Sequence, residues 1–237
     1  MSVLVTGAVG AIGSATVDRL LAAGEEVLAQ DLDPARMERR PGVTTVSGDL
    51  LAASTLDRIA GLAASTGLSA VVAAHGVAGS NALSDCSDAF IDRVLTINWA
   101  SIPRLYDAVA AALLANRGTF VAVSSQAALG GESENIVYCA AKFAVNGWIT
   151  AQQASVPGVS FHSLCPGPTH SALLMAAQAQ FAAAVGLTVE QYAVERAKQI
   201  ALGRYGEPRE MSAAAFYLTR PGPRPTVLPV TGGDVLL

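Results

Sequence analysis

Short apolar runs rich in β-branched residues alternate with Ala- and Leu-rich stretches along the whole of this chain. Strands are expected at Ser2–Thr6, Glu26–Gln30, Val43–Ser47, Ala70–Ala74, Thr119–Ser124 and Val159–Leu164. Helices are expected at Ala11–Ala23, Ala52–Thr66, Ser87–Ile97, Ile102–Asn116, Val137–Ser155 and Pro208–Thr219. Hydrophobicity within the strand runs is continuous rather than alternating, the pattern of strands covered on both faces. Strands and helices in strict succession close most simply as a parallel sheet between two helical layers. The expectation is a doubly wound α/β fold in three layers. With 237 residues, 51% of them hydrophobic and 14% charged, a single domain spanning 1–237 can bury a large core. A stretch rich in Ala, Leu and Met at about 168–203 reads as a mostly apolar helical insertion.

The turn after the first strand reads Thr6-Gly-Ala-Val-Gly-Ala-Ile-Gly13 and opens the first helix. Gly7 suits the tight turn, Gly10 a close backbone approach to a pyrophosphate, and Gly13 close packing of helix on strand. The backbone of Val9, Gly10, Ala11 and Ile12 would then meet the phosphates, helped by the free N–H groups of a helix start. Asp31 closes the second strand, 18 residues beyond Gly13. A carboxylate there can accept hydrogen bonds from the ribose hydroxyls of NAD and repels the 2′-phosphate of NADP. The turn carries no basic residue to offset that repulsion. The strand–turn–helix context makes this a Rossmann-like dinucleotide site, with NAD expected and NADP the weaker alternative. The neighbouring Asp33-Pro34 reads instead as a helix cap.

Only two of the chain's 15 basic residues are lysines, and Lys142 stands four residues after Tyr138. Positions i and i+4 share a helix face, so the ammonium can lie near the phenol. A nearby cation favours the phenolate, and bringing a pKa from ~10 to ~7 takes roughly 4 kcal/mol. Such a Tyr would exchange protons at neutral pH, as alcohol–ketone chemistry requires. Taken alone, the pair is an ordinary polar contact on a helix.

Together these motifs resemble the short-chain dehydrogenase/reductase family over nearly the whole chain. The resemblance implies a catalytic Ser thirteen residues before the Tyr, here Ser125, which polarises the substrate carbonyl, while Ser124 serves the local backbone. It also implies that Asn98 holds a water linking Lys142 to solvent. Gly48-Asp49-Leu50 matches the adenine contact, with Asp49 and Leu50 as its side chains. Ala73-Ala-His-Gly76 stands where the family has Asn-Asn-Ala-Gly, placing Ala74, His75 and Gly76 along the cofactor. Pro166-Gly-Pro-Thr-His-Ser171 resembles the run that holds the nicotinamide carboxamide, through Pro166, Gly167, Thr169 and Ser171, with Ser in place of the usual Thr. Gly203-Arg-Tyr-Gly-Glu-Pro208 matches the lead into the last helix.

Several positions depart from the family. Gly10 comes one place early, with Ala11 at the usual middle glycine, as in longer members that carry a C-terminal substrate domain. Only 95 residues follow Lys142 here. Ala73 and Ala74 replace two Asn side chains that tie the sheet together, so a local substitute is expected, and His75 reads as structural rather than catalytic. The ending Val230-Thr-Gly-Gly-Asp-Val-Leu-Leu237 resembles the family's last strand cut short, a change expected to affect subunit contacts more than chemistry.

The reading that follows is an NAD-dependent oxidoreductase interconverting a secondary alcohol and a ketone. A substrate pocket is expected between Gln126–Ile136 and the insertion, with Leu173, Leu174, Met175 and Phe181 favouring a small apolar alcohol or ketone. The alternatives are an NAD-binding regulator without turnover, and an epimerase or lyase using transient oxidation. A net charge of −4 without a basic cluster argues against nucleic acid. No apolar run reaches the ~20 residues of a membrane span. The first residues enter a strand directly without a basic leader, and Cys86, Cys139 and Cys165 lack metal-ligand spacing. A cytoplasmic protein without a metal is expected. Leu105, Val109 and Leu113, with Phe143, Gly147 and Thr150, recur at helical spacing, which suggests a homodimer or homotetramer.

Overall fold

A computed structural model describes residues 1–33, 40–79, 86–132 and 135–235. Pro34 of the expected cap, residues 133–134 of the expected pocket wall and the last two residues of the ending lie outside these. Seven strands form one sheet in the order β3-β2-β1-β4-β5-β6-β7, every pairing parallel. They are β1 Ser2–Thr6, β2 Glu26–Asp31, β3 Val43–Ser47, β4 Leu68–Ala73, β5 Thr119–Val123, β6 Ser160–Pro166 and β7 Val227–Val230. The helices are α1 Ala11–Ala22, α2 Ala53–Thr66, α3 Asp88–Leu95, α4 Ser101–Ala115, α5 Ile136–Ser155, α6 Ala172–Ala184, α7 Val189–Lys198 and α8 Pro208–Thr219. The doubly wound, three-layered, single-domain α/β fold expected from the sequence is the one observed.

Successive strand residues feed opposite layers, because side chains alternate across a sheet. Leu4, Leu28, Val71, Phe120 and Phe161 face one layer, where Leu105, Val109 and Leu113 of α4 and Val145 and Ile149 of α5 meet them. Val3, Val5, Val72, Val121 and Leu164 face the other, against Val17 and Leu20 of α1 and Ala215 and Leu218 of α8. Tyr106, Phe120, Trp148 and Phe161 pack mostly edge to face, with centroids 5.1–6.2 Å apart. Truncating Phe120 or Phe161, both fully buried, would cost about 3–5 kcal/mol. Both edge strands are partly exposed, β7 at every residue.

The structure corrects several sequence expectations. The helix expected over Ser87–Ile97 is interrupted: α3 ends at Leu95, and a π-helical turn, Thr96–Ala100, joins it to α4. Asn98 drives the break, since its Nδ2 donates to Val94 O and Val77 O, both at 3.1 Å, while its Oδ1 accepts from Val77 N–H. Leu105, Val109 and Leu113 are buried in this chain's own core and are not free for a second subunit. Phe143, Gly147 and Thr150 do form an exposed strip on α5. A seventh strand, β7, starts before the ending that was expected to supply it. Cys139 and Cys165 are buried, whereas Cys86 is only half-buried. Among the described residues no single helix is long and apolar enough to cross a membrane.

His75 supplies the missing tie. Its Nδ1 lies 2.6 Å from Thr6 Oγ1 at the end of β1, and its Nε2 lies 2.7 Å from Ser101 Oγ at the start of α4. Ser101 Oγ donates its only proton to Ile97 O at 2.7 Å. It must therefore accept from Nε2–H, and Nδ1 accepts from Thr6, which fixes the tautomer. Burial first, and then the Lys142 charge, push this imidazole down to about 3.

Two expected outcomes test these constraints. A Cβ on Gly13 would sit 2.0 Å from Gly7 O, whereas one on Gly61, in mid-α2, meets nothing within 4 Å. Gly13→Ala should therefore cost about 2 kcal/mol or more, and Gly61→Ala should stabilise by up to about 1 kcal/mol, both read from urea unfolding. For His75, ¹⁵N NMR should find Nε2 protonated and no titration between pH 8 and 5. Because the folded value lies below the ordinary 6.5, acid favours the unfolded chain between pH 6.5 and about 3. A His75 midpoint above pH 6 would show that the tie is not made.

Candidate active site

All seven strands end, at their carboxyl ends, on one rim of the sheet, and the order reverses between β1 and β4. A crevice opens at such a reversal. Here it becomes a cleft of about 910 Å³. Every site residue expected from the sequence lines it except Gly13, which packs beneath Gly7.

One half of the cleft is a cradle of backbone. Gly7 turns with φ +63°, and a Cβ there would fall 2.7 Å from the backbone of His75. Gly10 caps α1 without any side-chain hydrogen bond, so the helix start is left open toward the cleft. Asp31 closes β2 with its Oδ2 accepting from Val9 N–H at 2.9 Å and its Oδ1 from Leu32 N–H at 2.7 Å. Asp49 steadies the far wall by accepting from Leu51 N–H, and Leu50 beside it is buried. A Cβ on Gly76 would come 2.7 Å from Asn98 Oδ1 and 3.7 Å from Lys142 Nζ. The open helix start, the side-chain-free turn and the carboxylate at the end of β2 fit a dinucleotide.

The other half holds the polar groups expected to do chemistry. Helix α5 presents Tyr138 and Lys142 on one face, with Lys142 Nζ 5.5 Å from the Tyr138 ring centre. Lys142 is 4% exposed, and its Nζ donates to Val123 O at 3.0 Å. Ser125, just beyond β5, accepts from Ala127 N–H and hydrogen-bonds Tyr138. Ser124 donates to Lys142 O at 3.2 Å, the local backbone role expected of it. The low Tyr138 pKa expected from Lys142 is not found. Burial pushes the phenol up to about 12, opposed by the Ser125 hydrogen bond, with the Glu132 charge adding to the rise. Burial also lowers Lys142 to about 8. Desolvation is the largest cause of both shifts, so the proton rests on Tyr138. Asn98, expected to hold a relay water, spends its amide on Val77 and Val94.

Beyond β6, Thr169 donates to Gly167 O at 2.9 Å, and Ser171 caps α6 by accepting from Leu174 N–H at 3.1 Å. The Ser171 hydroxyl proton is not spent on that cap. Leu173, Leu174 and Phe181 line the cleft as expected; Met175 points away and is 51% exposed. The wall also carries polar groups that sequence reasoning missed. Asp234, beyond β7, accepts from both terminal nitrogens of Arg196 on α7, one at 2.7 Å, and from Gln126 Nε2 at 2.6 Å. Burial alone would raise the Asp234 carboxyl, but Arg196 and Gln126 together hold it below its ordinary value. Gln178 on α6 donates to Tyr205 OH at 2.5 Å. The ending thus reaches the cleft, although sequence reasoning put more weight on its effect on subunit contacts than on chemistry.

Comparison with known proteins agrees with this geometry. Residues 1–181 match the family model described as short chain dehydrogenase. Galactitol 2-dehydrogenase of Agrobacterium fabrum is 24% identical over 229 residues, covering 91% of this chain and 88% of that protein. The short chain dehydrogenase ple7 of Rhodocybe pseudopiperita is 32% identical over 181 residues, 70% of each chain. Among solved structures, sorbitol-6-phosphate 2-dehydrogenase of Erwinia amylovora superposes with a TM-score of 0.92 at 19% identity, covering 99% of this chain and all of that one. A glycine turn, a Ser–Tyr–Lys cluster and a seven-stranded parallel sheet in one chain, matched by the family model over most of its length, make this protein a member of the short-chain dehydrogenase family of oxidoreductases.

Proposed function

We propose that this protein interconverts a secondary alcohol and a ketone with NAD, Tyr138 carrying the proton. The observation behind the reading is the meeting of Ser125, Tyr138 and Lys142 in the same cleft as the glycine turn and Asp31. Nicotinamide, when bound, supplies or takes the hydride. Tyr138, protonated in this state, is an acid ready to donate to a carbonyl oxygen. Ser125 Oγ, already in contact with Tyr138, is placed to donate to the same oxygen and orient it. Lys142, pinned by Val123 O, stands as a buried cation beside Gly76, placed to hold a ribose hydroxyl and to favour the phenolate when the reaction runs toward the ketone. Asn98 keeps the π turn that shapes this wall. Pro166, Gly167, Thr169 and Ser171 form the edge where the carboxamide would sit. The Asp31 carboxylate favours a free ribose and hence NAD over NADP. Leu173, Leu174 and Phe181 favour an apolar body on the substrate. The exposed Phe143–Gly147–Thr150 strip on α5 supports a homodimer or homotetramer.

Tyr138→Phe should leave cofactor binding nearly intact and lower turnover of secondary alcohols by about 10²–10⁴-fold. A variant that keeps more than a tenth of the activity would remove Tyr138 from the proton step. Asp31→Ala should raise the Kd for NAD more than that for NADP, measured by titration calorimetry; a wild-type preference for NADP would overturn the ribose role of Asp31.

A further inference from the structure

Helices α6 and α7 form a hairpin with a bend of 97° between them, and Leu173, Leu174, Phe181, Tyr192 and Arg196 of this hairpin line the cleft. Apolar burial does little to hold α7 in place. Every residue of α7 is half-buried or exposed, and Val185, Val194 and Leu202 stay 57–62% exposed. The Phe181–Tyr192 ring contact, 6.1 Å between centroids, joins one helix of the hairpin to the other rather than to the sheet. What reaches from α7 to the body is Arg196, whose two terminal nitrogens donate to the two carboxylate oxygens of Asp234. The Asp234 end is fixed. Its N–H donates to Thr231 O, and Thr231 lies against the run after β6, where a Cβ on Gly167 would stand 2.8 Å from Thr231 Cα. Gln126 Nε2 holds the same carboxylate at 2.6 Å from the end of β5. The ion pair therefore spans the joint between a segment packed on the sheet and a helix that is not.

We propose that Arg196 and Asp234 form a latch: paired, they hold α7 over the cleft, and when they part the hairpin loosens to let ligands in and out. The inference goes beyond the alcohol–ketone reading and does not need it, since it concerns access to the cleft and not the reaction inside. The two side chains are 21% and 7% exposed, close to water. On opening, both charges regain hydration together, which makes the hold modest and reversible; removing one partner strands the other. Below the latch, Leu202 N–H stays on Gly232 O at 3.0 Å, a base about which the hairpin can turn. Once released, a helix of 10 residues is too short to stay formed in water, so the loosening is visible as loss of its backbone hydrogen bonds.

Amide hydrogen exchange over α7 in the ligand-free protein tests the latch without any assay of turnover. Arg196→Met and Asp234→Asn should each raise exchange there by about ten- to a hundredfold, the worth of a hydrogen bond to a charged group, while amides of β1, β4 and β5 keep their wild-type rates. The double variant should exchange no faster than the faster single one, because either substitution already opens the same pair. Wild-type rates over α7 in both single variants would overturn the proposal, and so would additive effects in the double variant. Should Arg196→Met also loosen the strands, Arg196→Lys decides, since it keeps the charge but not the fork. Protection of α7 between that of wild type and Arg196→Met supports the latch, and full protection overturns it. NADH, used as a fluorescent probe in stopped flow, should leave Asp234→Asn faster than wild type by a similar factor; equal release rates would overturn the gating. Absence of NADH binding to wild type would count against the cofactor reading instead, with the exchange experiment still deciding the latch.

Discussion

Six parallel pairings oblige every strand to end on the same rim, and every catalytic candidate hangs from that rim. Ser125 follows β5, Asp31 closes β2, Gly7 follows β1 and Pro166 closes β6. Parallel strands cannot be joined by tight turns, so their connections cross a face of the sheet, and α1, α2, α4, α5 and α8 lie on such crossings. Helix α5 is one such crossing, and its first turns carry Tyr138 and Lys142 back to the rim. The chemistry is thus gathered by topology from positions more than a hundred residues apart, with the packing of Phe120, Phe161 and Tyr106 fixing the distance between sheet and α5.

Desolvation governs the polar groups on this rim. His75, Lys142 and Tyr138 are each displaced toward their neutral forms, because burial removes the water that would stabilise charge. His75 is neutral because burial and the Lys142 charge disfavour its cation, and its two hydroxyl partners then tie β1 to α4. Tyr138 is neutral because burial raises its phenol, against the opposing hydrogen bond of Ser125. Asp234 goes the other way: it stays charged in a buried place because Arg196 and Gln126 surround it with donors.

Much of this was legible in the sequence. Strand runs that stay apolar without alternation announced a sheet covered on both sides, and the spacing from Gly7 to Gly13 to Asp31 announced the cradle. Tyr138 and Lys142 could be paired because both lie on one helix. The remainder depends on contacts that no local pattern encodes. Gln126 and Asp234 are 108 residues apart, and nothing near either names the other. Leu105, Val109 and Leu113 show helical spacing whether they face a sheet or a second subunit, so periodicity could not say which they meet. The phenol's pKa was misread because spacing reveals a neighbouring charge but not the loss of water around both groups. The helix expected over Ser87–Ile97 gives way to a π turn at Thr96, and the Asn98 amide that reaches Val77 from that turn could not be foreseen from helix propensity.

The bridge from Arg196 through Asp234 to Gln126 joins three parts of the chain that otherwise could move apart: α7, the segment after β7 and the residue beside Ser125. Any outward swing of α7 that parts Arg196 from Asp234 leaves the carboxylate with one donor fewer, and the Gln126 amide loses the charge-held anchor that fixes which end is oxygen. The setting of the Gln126 amide is thereby coupled to the position of α7. Thermodynamic reciprocity makes the converse hold as well: a molecule that binds the ordered amide must, to the same degree, favour the closed position of α7.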